Sequence, residues 1–323
     1  MPLELIATAP RTPELREYED GPVPDGRVRV QVEFGAPKHG TEMTEYRANR
    51  GSRFPRGLGN MCVGRIVEIG GGVEGFEIGE RVAGYGSLRE THTWGAGSVL
   101  KMSERMTWKE AVCYDPAHFA LGGVRDGNAR AGDHVAVFGL GALGQMSAQF
   151  ARLSGADTVS LIDPIEARRQ AALNAGADFA FDADPEVAVS GLKEVSGGRG
   201  PDLIIETSAN YRALDTALRA LAYGGTIAYM GWPKECEGGL DFGAKAHFEV
   251  PNMIFTRACS EPNRDHPRWS FQRIRETCWS WLNAGKLRCE EIVSPVVPFK
   301  EVVEAYRSID EAPELSVKLG VAF

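Results

Sequence analysis

The segment GLGALG places glycines at positions 139, 141 and 144, with the spacing G-x-G-x-x-G. The first glycine of this pattern permits a tight turn, the second lets the backbone approach a ligand, and the third lets a helix and a strand pack closely. Phosphate oxygens bind well at such a turn, because free backbone N–H groups and the positive end of a helix dipole face them. The pattern therefore predicts a pyrophosphate-binding turn made by Gly139, Gly141, Ala142, Leu143 and Gly144.

An acidic residue ends the next apolar run of the chain. The run TVSLID ends in Asp163, close to the roughly 20 residues beyond the turn at which dinucleotide-binding chains carry an acid for the adenosine ribose. A carboxylate at this place repels a 2′-phosphate, so NAD(H) is favoured over NADP(H) as the cofactor. Arg168 and Arg169 follow, and one of them would either stack on the adenine or weaken the exclusion of NADP(H).

The elements that must position these residues alternate between strand and helix. The apolar runs HVAVFG, TVSLID, DLIIET and TIAYMG are separated by helical segments, which predicts βαβ units and a parallel sheet. The first hundred residues instead contain short strands such as RVRVQVEF, in which polar and apolar residues alternate. The predicted fold class is α/β, a doubly wound Rossmann sheet plus a mainly β domain.

Composition and charge narrow the classes of partner. The 323 residues are enough for two domains. A net charge of -8 disfavours nucleic acid, and no apolar run approaches the roughly 18 residues that a membrane helix requires. The six cysteines form no C-x-x-C pair, and no secretory segment is recognisable near Met1. We therefore expect a cytoplasmic protein with a small-molecule substrate and with neither nucleic acid nor membrane as a partner.

Several longer segments follow the pattern of a known family, namely GRIVEIGGGVEGFEIGERVAGYG (64–86), EAVCYDPAHFALGGVRDGNARAGDHVAVFGLGALG (110–144) and PDLIIETSAN (201–210). Through them nearly the whole chain resembles the medium-chain dehydrogenase/reductase superfamily, in particular its zinc-type alcohol and polyol dehydrogenases. The resemblance implies a GroES-like catalytic domain over 1–118, completed by 287–323, and a Rossmann dinucleotide-binding domain over 119–286. It also implies an active site in the cleft between the domains and a homodimer or homotetramer.

The same resemblance assigns further residues to the cofactor. It implies that Ser208, Met230 and Gly231 border the nicotinamide ribose, and that Lys318 approaches the pyrophosphate.

The sequence departs from this family at the metal site. The family typically holds its catalytic zinc by a Cys in CG[ST]D, a His in GHE, and a Cys, Asp or Glu before the Rossmann domain. This chain has His39, Asn60 and Asp115 at those places. An amide oxygen is a poor zinc ligand, so we expect no catalytic zinc. No cysteine lies between Cys62 and Cys113, so we also expect no structural zinc lobe.

Without a metal ion, side chains must handle the proton that accompanies hydride transfer. Thr41 corresponds to the hydroxyl relay position of the family, and an imidazole such as that of His39 has an intrinsic pKa of about 6.5, suited to acid–base chemistry. We therefore hypothesise that His39 and Thr41 act on the substrate oxygen while Asp115 orients the imidazole. The alternative is that His39 and Asp115 form a structural hydrogen-bonded pair.

The favoured function is an NAD(H)-dependent, zinc-independent oxidoreductase that interconverts an alcohol, such as a polyol, sugar or cyclitol, and a carbonyl. Three alternatives stay open. One is a zinc-free reductase of enones or quinones, and another is a dinucleotide-binding protein without catalysis, which the altered zinc motif suggests. The third is a dehydrogenase that retains a zinc ion.

Overall fold

The computed structural model describes residues 1–48, 51–232 and 238–323, apart from the side chain of Ala244. The chain forms two compact units, one made of Met1–Cys113 with Leu282–Phe323 and the other of Tyr114–Trp281. The domain boundaries after residues 118 and 286 stay predictions.

The first segment of unit 1 consists mainly of strands. Its elements are β1 (Leu3–Ala9), β2 (Thr12–Glu17), β3 (Arg27–Ala36), α1 (His39–Tyr46), β4 (Arg56–Gly57), β5 (Met61–Ile69), β6 (Arg81–Tyr85), β7 (Thr91–Gly95), β8 (Leu100–Lys101) and α2 (Trp108–Val112).

Unit 2 alternates between helix and strand, as predicted. Its elements are α3 (Tyr114–Asp126), β9 (His134–Phe138), α4 (Ala142–Leu153), β10 (Thr158–Ile162), α5 (Glu166–Asn174), β11 (Phe179–Phe181), α6 (Pro185–Val195), β12 (Leu203–Glu206), α7 (Tyr211–Ala220), β13 (Thr226–Tyr229), α8 (His247–Glu249), β14 (Asn252–Phe255) and α9 (Phe271–Asn283), whose last two residues belong to unit 1.

The sheet of unit 2 is parallel throughout, in the order β11-β10-β9-β12-β13-β14. Its central strands are almost wholly apolar and buried, which is typical of a parallel sheet covered on both faces. Phe138, Ile204, Leu214 and Ile227 are in the core on one of these faces. The carboxyl ends of β9 and its two neighbours therefore meet at one edge, where this class of sheet binds ligands.

The chain returns to unit 1 with β15 (Val293–Pro298), α10 (Val302–Glu311) and β16 (Lys318–Ala322). The larger sheet there has the order β15-β16-β3-β5-β6-β8, with β7 also paired to β3, and a smaller sheet has the order β2-β1-β4. Because β16 pairs antiparallel with the end of β3, the last residues of the chain lie beside the start of α1. The predicted α/β class, with a Rossmann-like parallel sheet and a separate mainly β part, is confirmed.

Among the residues that the structure describes, no helix has both the length and the apolar composition needed to cross a bilayer.

Candidate active site

The predicted glycine turn lies between β9 and α4. Gly139 has a φ of +85°, a conformation that favours glycine. A Cβ at position 144 would lie 1.8 Å from the carbonyl oxygen of Gly139, whereas a Cβ at position 141 would meet no atom within 4 Å. The outer two glycines are therefore required by the fold itself, and Gly141, the N-cap of α4, borders open space. This difference between the outer glycines and the middle one fits a turn whose middle glycine makes room for a ligand.

Asp163 directly follows β10 and is joined to the same turn. Its Oδ2 accepts a hydrogen bond of 2.7 Å from the backbone N–H of Leu140, and its Oδ1 accepts one of 2.8 Å from Ile165. The residue is only 3% exposed. Since a carboxylate oxygen can accept more than one hydrogen bond, both oxygens keep acceptor capacity for ribose hydroxyls. The contact with ribose itself stays a prediction.

The two arginines of α5 differ in their surroundings. The guanidinium of Arg169 donates to the backbone oxygen of Asp163 at 2.5 Å and to Asp182 at 3.1 Å. The backbone oxygen of Arg168 accepts from the amide of Gln145 at 2.8 Å, which ties α5 to α4. Arg169 is thus engaged in holding the end of β10, and Arg168 remains the predicted partner of the adenine.

The loops that carry Ser208 and Gly231 are held by an acidic residue that sequence reasoning missed. Glu206, at the end of β12, is completely buried, and its carboxylate accepts from the backbone N–H groups of Ser208 at 2.9 Å and Ala209 at 3.1 Å. The backbone oxygen of Glu206 accepts from Met230 at 2.8 Å. A buried carboxylate requires hydrogen-bond partners. The acidic residue at the end of the apolar strand β12 was therefore a signal from which this role of Glu206 could have been predicted.

A second polar cluster lies in unit 1, where α1 begins. The carboxylate of Glu42 accepts hydrogen bonds from the backbone N–H of Lys38 at 2.8 Å, from the backbone N–H of Gly59 at 2.6 Å and from the hydroxyl of Tyr306 at 2.6 Å. This one carboxylate therefore binds the backbone N–H groups of the residues that precede His39 and Asn60. We call these four residues, together with His39 and Asn60, the Glu42 cluster.

Burial raises the pKa of Glu42 above its usual value of 4.5. The three hydrogen bonds and the nearby charge of Lys318 act in the opposite direction without cancelling this effect. Lys318 itself is buried, and its ammonium group donates to the backbone oxygen of Pro37 at 2.7 Å. Its predicted approach to a pyrophosphate stays a prediction.

His39 is held in one orientation by the C-terminal strand. Its Nε2 accepts a hydrogen bond of 2.9 Å from the backbone N–H of Leu319. A backbone amide can only donate, so Nε2 carries a lone pair and the proton of the neutral ring lies on Nδ1. This contact indicates which ring nitrogen carries the proton, and the catalytic role of His39 stays a prediction.

The other two predicted catalytic residues are placed as follows. Thr41 lies in the first turn of α1 and is half-buried, and Asp115 lies in the first turn of α3 in unit 2 and is buried. That Asp115 orients His39 stays a prediction.

The residues at the family's zinc positions do not fit a zinc ion. One ring nitrogen of His39 already accepts from a backbone amide, and Asn60 offers only an amide, which is a poor zinc ligand. Within the described ranges no three His, Cys, Asp or Glu side chains come together in a group that would hold a metal ion.

Comparison with known proteins shows the family. A family model described as "Zinc-binding dehydrogenase" matches residues 142–259, a range that excludes positions 39, 60 and 115. The chain is 45% identical to D-guloside 3-dehydrogenase of Escherichia coli (strain K12), over 99% of both proteins.

Two solved structures illustrate the likeness of fold. Galactitol-1-phosphate dehydrogenase from Escherichia coli has a TM-score of 0.82 at 18% identity, covering 99% of this chain and all of the other. An alcohol dehydrogenase from E. coli CFT073, solved with its cofactor NADH, has a TM-score of 0.80 at 21% identity, covering 100% of this chain and 99% of the other. The chain belongs to the zinc-type alcohol dehydrogenase-like branch of the medium-chain dehydrogenase/reductase superfamily, and it is an oxidoreductase that interconverts an alcohol and a carbonyl.

Proposed function

We propose that this protein is an NAD(H)-dependent dehydrogenase that oxidises the hydroxyl at carbon 3 of a D-guloside, or of a closely similar hexoside, without a catalytic zinc ion. The observation that carries the proposal is the 45% identity, along 99% of both chains, to a protein named D-guloside 3-dehydrogenase.

The choice of coenzyme is supported by the carboxylate beside the glycine turn. Asp163 is anchored to Leu140 within that turn, and it keeps acceptor capacity for two ribose hydroxyls. A phosphate group at the same place would face a buried negative charge, which is costly unless a cation compensates it. NAD(H) is therefore favoured over NADP(H).

The chemistry at the substrate oxygen is assigned to unit 1. Oxidation of a secondary alcohol breaks the C–H bond, whose hydride NAD⁺ accepts when bound, and the O–H bond, whose proton must leave. The hydroxyl of Thr41 accepts this proton while passing its own toward solvent, since a hydroxyl both donates and accepts. The Nδ1–H of His39 donates to the oxygen and stabilises the negative charge that develops there, as a neutral imidazole can.

The association state and the location belong to the same proposal. The edge strand β14 ends in Phe255, which is 63% exposed, and pairing of two such edges would cover it in a homodimer or in half of a homotetramer. Free cysteines such as Cys62 and Cys113 suit a reducing cytoplasm.

A coenzyme titration combined with product analysis tests this proposal. Purified protein is titrated with NADH and with NADPH by fluorescence, and NAD⁺ is then supplied with methyl D-guloside. We expect NADH to bind at least about tenfold more tightly, and a 3-keto glycoside to appear in the NMR spectrum of the product. Asp163→Asn should reduce the preference for NADH, whereas Glu194→Gln, which removes an exposed charge from unit 2, should not. Equal affinities, or oxidation at another carbon, would contradict the proposal.

The proton relay is tested by two threonines of the same helix. Thr41→Val removes the proposed hydroxyl relay and should lower kcat by about 100-fold or more. Thr44→Val is the matched control, because the hydroxyl of Thr44 donates at 3.3 Å to the backbone oxygen of Gly40 within the helix. Equal kcat values for the two variants would remove Thr41 from the mechanism.

A further inference from the structure

Asn60 carries a polar group that the fold leaves unsatisfied. Its side-chain nitrogen Nδ2 is buried and has no hydrogen-bond partner among the described residues. A buried donor without a partner destabilises the folded state, so native structures rarely keep one unless a ligand or water completes it.

The position of this amide is fixed by the backbone around it. The N–H of Asn60 donates to Ala36 at 3.1 Å, and its backbone oxygen accepts from Gly86 at 3.0 Å. The backbone N–H of the preceding residue, Gly59, is held by the Glu42 carboxylate. Because hydrogen bonds hold the main chain at Asn60 and at the residue before it, the side chain is not needed to hold the loop and is available to bind a ligand.

The backbone of Asn60 also lies near the start of α1, the helix that carries the other residues assigned to the substrate oxygen. Asn60 is adjacent to Met61, which is paired with Ala36 at the end of β3, and α1 begins three residues after Ala36. The Glu42 carboxylate accepts from the backbone N–H groups of both Lys38 and Gly59, the residues before His39 and Asn60. In the family, a zinc ligand that serves the reacting oxygen stands at this position.

We propose that Asn60 is a catalytic residue whose Nδ2–H donates a hydrogen bond to the substrate oxygen that becomes the carbonyl. This inference rests on the proposed function, in which that oxygen belongs to carbon 3 of a hexoside. As the hydride leaves carbon 3 and the proton leaves the oxygen, negative charge grows on the oxygen and is met by the amide. The amide neither gains nor loses a proton, and the N–H of His39 supplies a second donor.

A preorganised donor in a site that excludes water stabilises such charge strongly, and loss of one donor of this kind lowers kcat by about 100- to 1000-fold. A neutral amide suits the task, because a carboxylate of the same shape would repel the developing charge. The unsatisfied amide of the free protein is then the donor that the transition state requires.

Two variants test the proposal, Asn60→Ala and Asn60→Asp, with Asn174→Asp as the control. Asn174 is exposed on α5, and its side-chain oxygen accepts from Gln170, an acceptor that aspartate retains. With NAD⁺ and methyl D-guloside, we expect kcat to fall by about 100-fold or more in both Asn60 variants. We also expect the primary isotope effect from substrate deuterated at carbon 3 to rise toward its intrinsic value, and the Kd for NADH to stay unchanged.

Thermal unfolding provides the second readout. Asn60→Ala removes a buried donor without breaking a hydrogen bond of the protein, so its Tm should equal or exceed that of the wild type while its activity falls. A lower Tm together with weaker NADH binding would show that Asn60 is structural and would overturn the proposal. An unchanged kcat with a raised KM would also overturn it, because Asn60 would then bind a hydroxyl that does not react.

Wild-type turnover is measured first, which separates the two proposals. An inactive wild type contradicts the proposed function and, with it, the step assigned to Asn60. An active wild type with fully active Asn60 variants contradicts the Asn60 assignment alone.

Discussion

The glycine turn of unit 2 and the Glu42 cluster of unit 1 are built in opposite ways. The turn consists of neighbouring residues whose backbone follows from the spacing of Gly139, Gly141 and Gly144, with Asp163 hydrogen-bonded to Leu140 within it. The cluster consists of side chains brought together from distant segments, since Glu42 meets a hydroxyl 264 positions away. A backbone turn of this kind follows from a local motif, whereas the Glu42 cluster depends on packing between distant segments.

The largest effect is expected from a methyl group on Gly144, the third glycine of the turn. In Gly144→Ala the new Cβ would lie 1.8 Å from the backbone oxygen of Gly139, so the turn or α4 must shift. We expect unit 2 to lose about 4 kcal/mol or more of stability, as in other severe steric changes. Urea unfolding followed by circular dichroism measures this loss, and a denaturant midpoint equal to that of the wild type would show that the turn accommodates the methyl group.

A second test concerns His92, a histidine of unit 1 that lies outside the Glu42 cluster. His92 is buried, and its Nε2 donates to the backbone oxygen of Ser87 at 2.9 Å. Burial lowers its pKa from 6.5 to about 4. The neutral ring is therefore favoured in the folded state, and this stabilisation is complete above pH 6.5 and is lost as the pH falls through 4. The difference corresponds to about 3 kcal/mol.

Replacing His92 by Gln should remove this pH dependence. Urea unfolding at intervals from pH 7 to pH 4 should show the wild type losing about 3 kcal/mol more than His92→Gln over that range. His247→Gln is the control, because His247 is exposed. Parallel curves for the wild type and His92→Gln would show that His92 does not make this contribution.

The Glu42 cluster is probed by removing one of its donors. Tyr306→Phe keeps the edge-to-face contact with Tyr46, at 5.1 Å between ring centroids, but deletes the hydroxyl that donates to Glu42. We expect a loss of about 2 kcal/mol at neutral pH, together with a further rise of the Glu42 pKa, because this hydrogen bond lowers it.

The sign of the pH dependence follows from that raised pKa. A carboxyl whose folded-state pKa lies above 4.5 loses stabilisation as the pH rises through the folded value, and Tyr306→Phe enlarges this loss. The destabilisation should therefore be greater at pH 7 than at pH 4 when both are measured by denaturant unfolding. Tyr46→Phe is the matched control, and an equal effect from both variants would argue against a special Tyr306–Glu42 contact.

The smallest effect on stability is expected at Gly141, the middle glycine of the turn. In Gly141→Ala the added Cβ would meet no protein atom within 4 Å, so the Tm should not change. If the open space holds pyrophosphate, however, NADH affinity should fall by about tenfold, or about 1.4 kcal/mol. Calorimetric titration beside Gly144→Ala separates the two roles, and unchanged NADH affinity in Gly141→Ala would place the pyrophosphate elsewhere.

The sequence predicted what local rules control. The parallel sheet, the turn at Gly139 and the acid at Asp163 each follow from periodicity or from spacing within one βαβ unit. Glu206 escaped notice because its partners lie in loops without a recognisable motif. Leu319 was not connected with His39, although that contact decides which ring nitrogen carries the proton.

Asn60 shows the limit of motif reading most clearly. Its sequence position reveals only that a zinc ligand of the family is replaced. In the described part of the chain, the replacement is a buried donor without a partner. This depends on how β3, β5 and the loop after β6 pack, which no local pattern encodes.

Turnover by metal-free enzyme tests the central claim most directly, namely that side chains of unit 1 and not a zinc ion act on the substrate oxygen. The protein is dialysed against a strong chelator, its metal content is checked by elemental analysis, and its kcat with NAD⁺ and methyl D-guloside is compared before and after. We expect an unchanged kcat at negligible metal content. Loss of activity that returns on addition of zinc would contradict it.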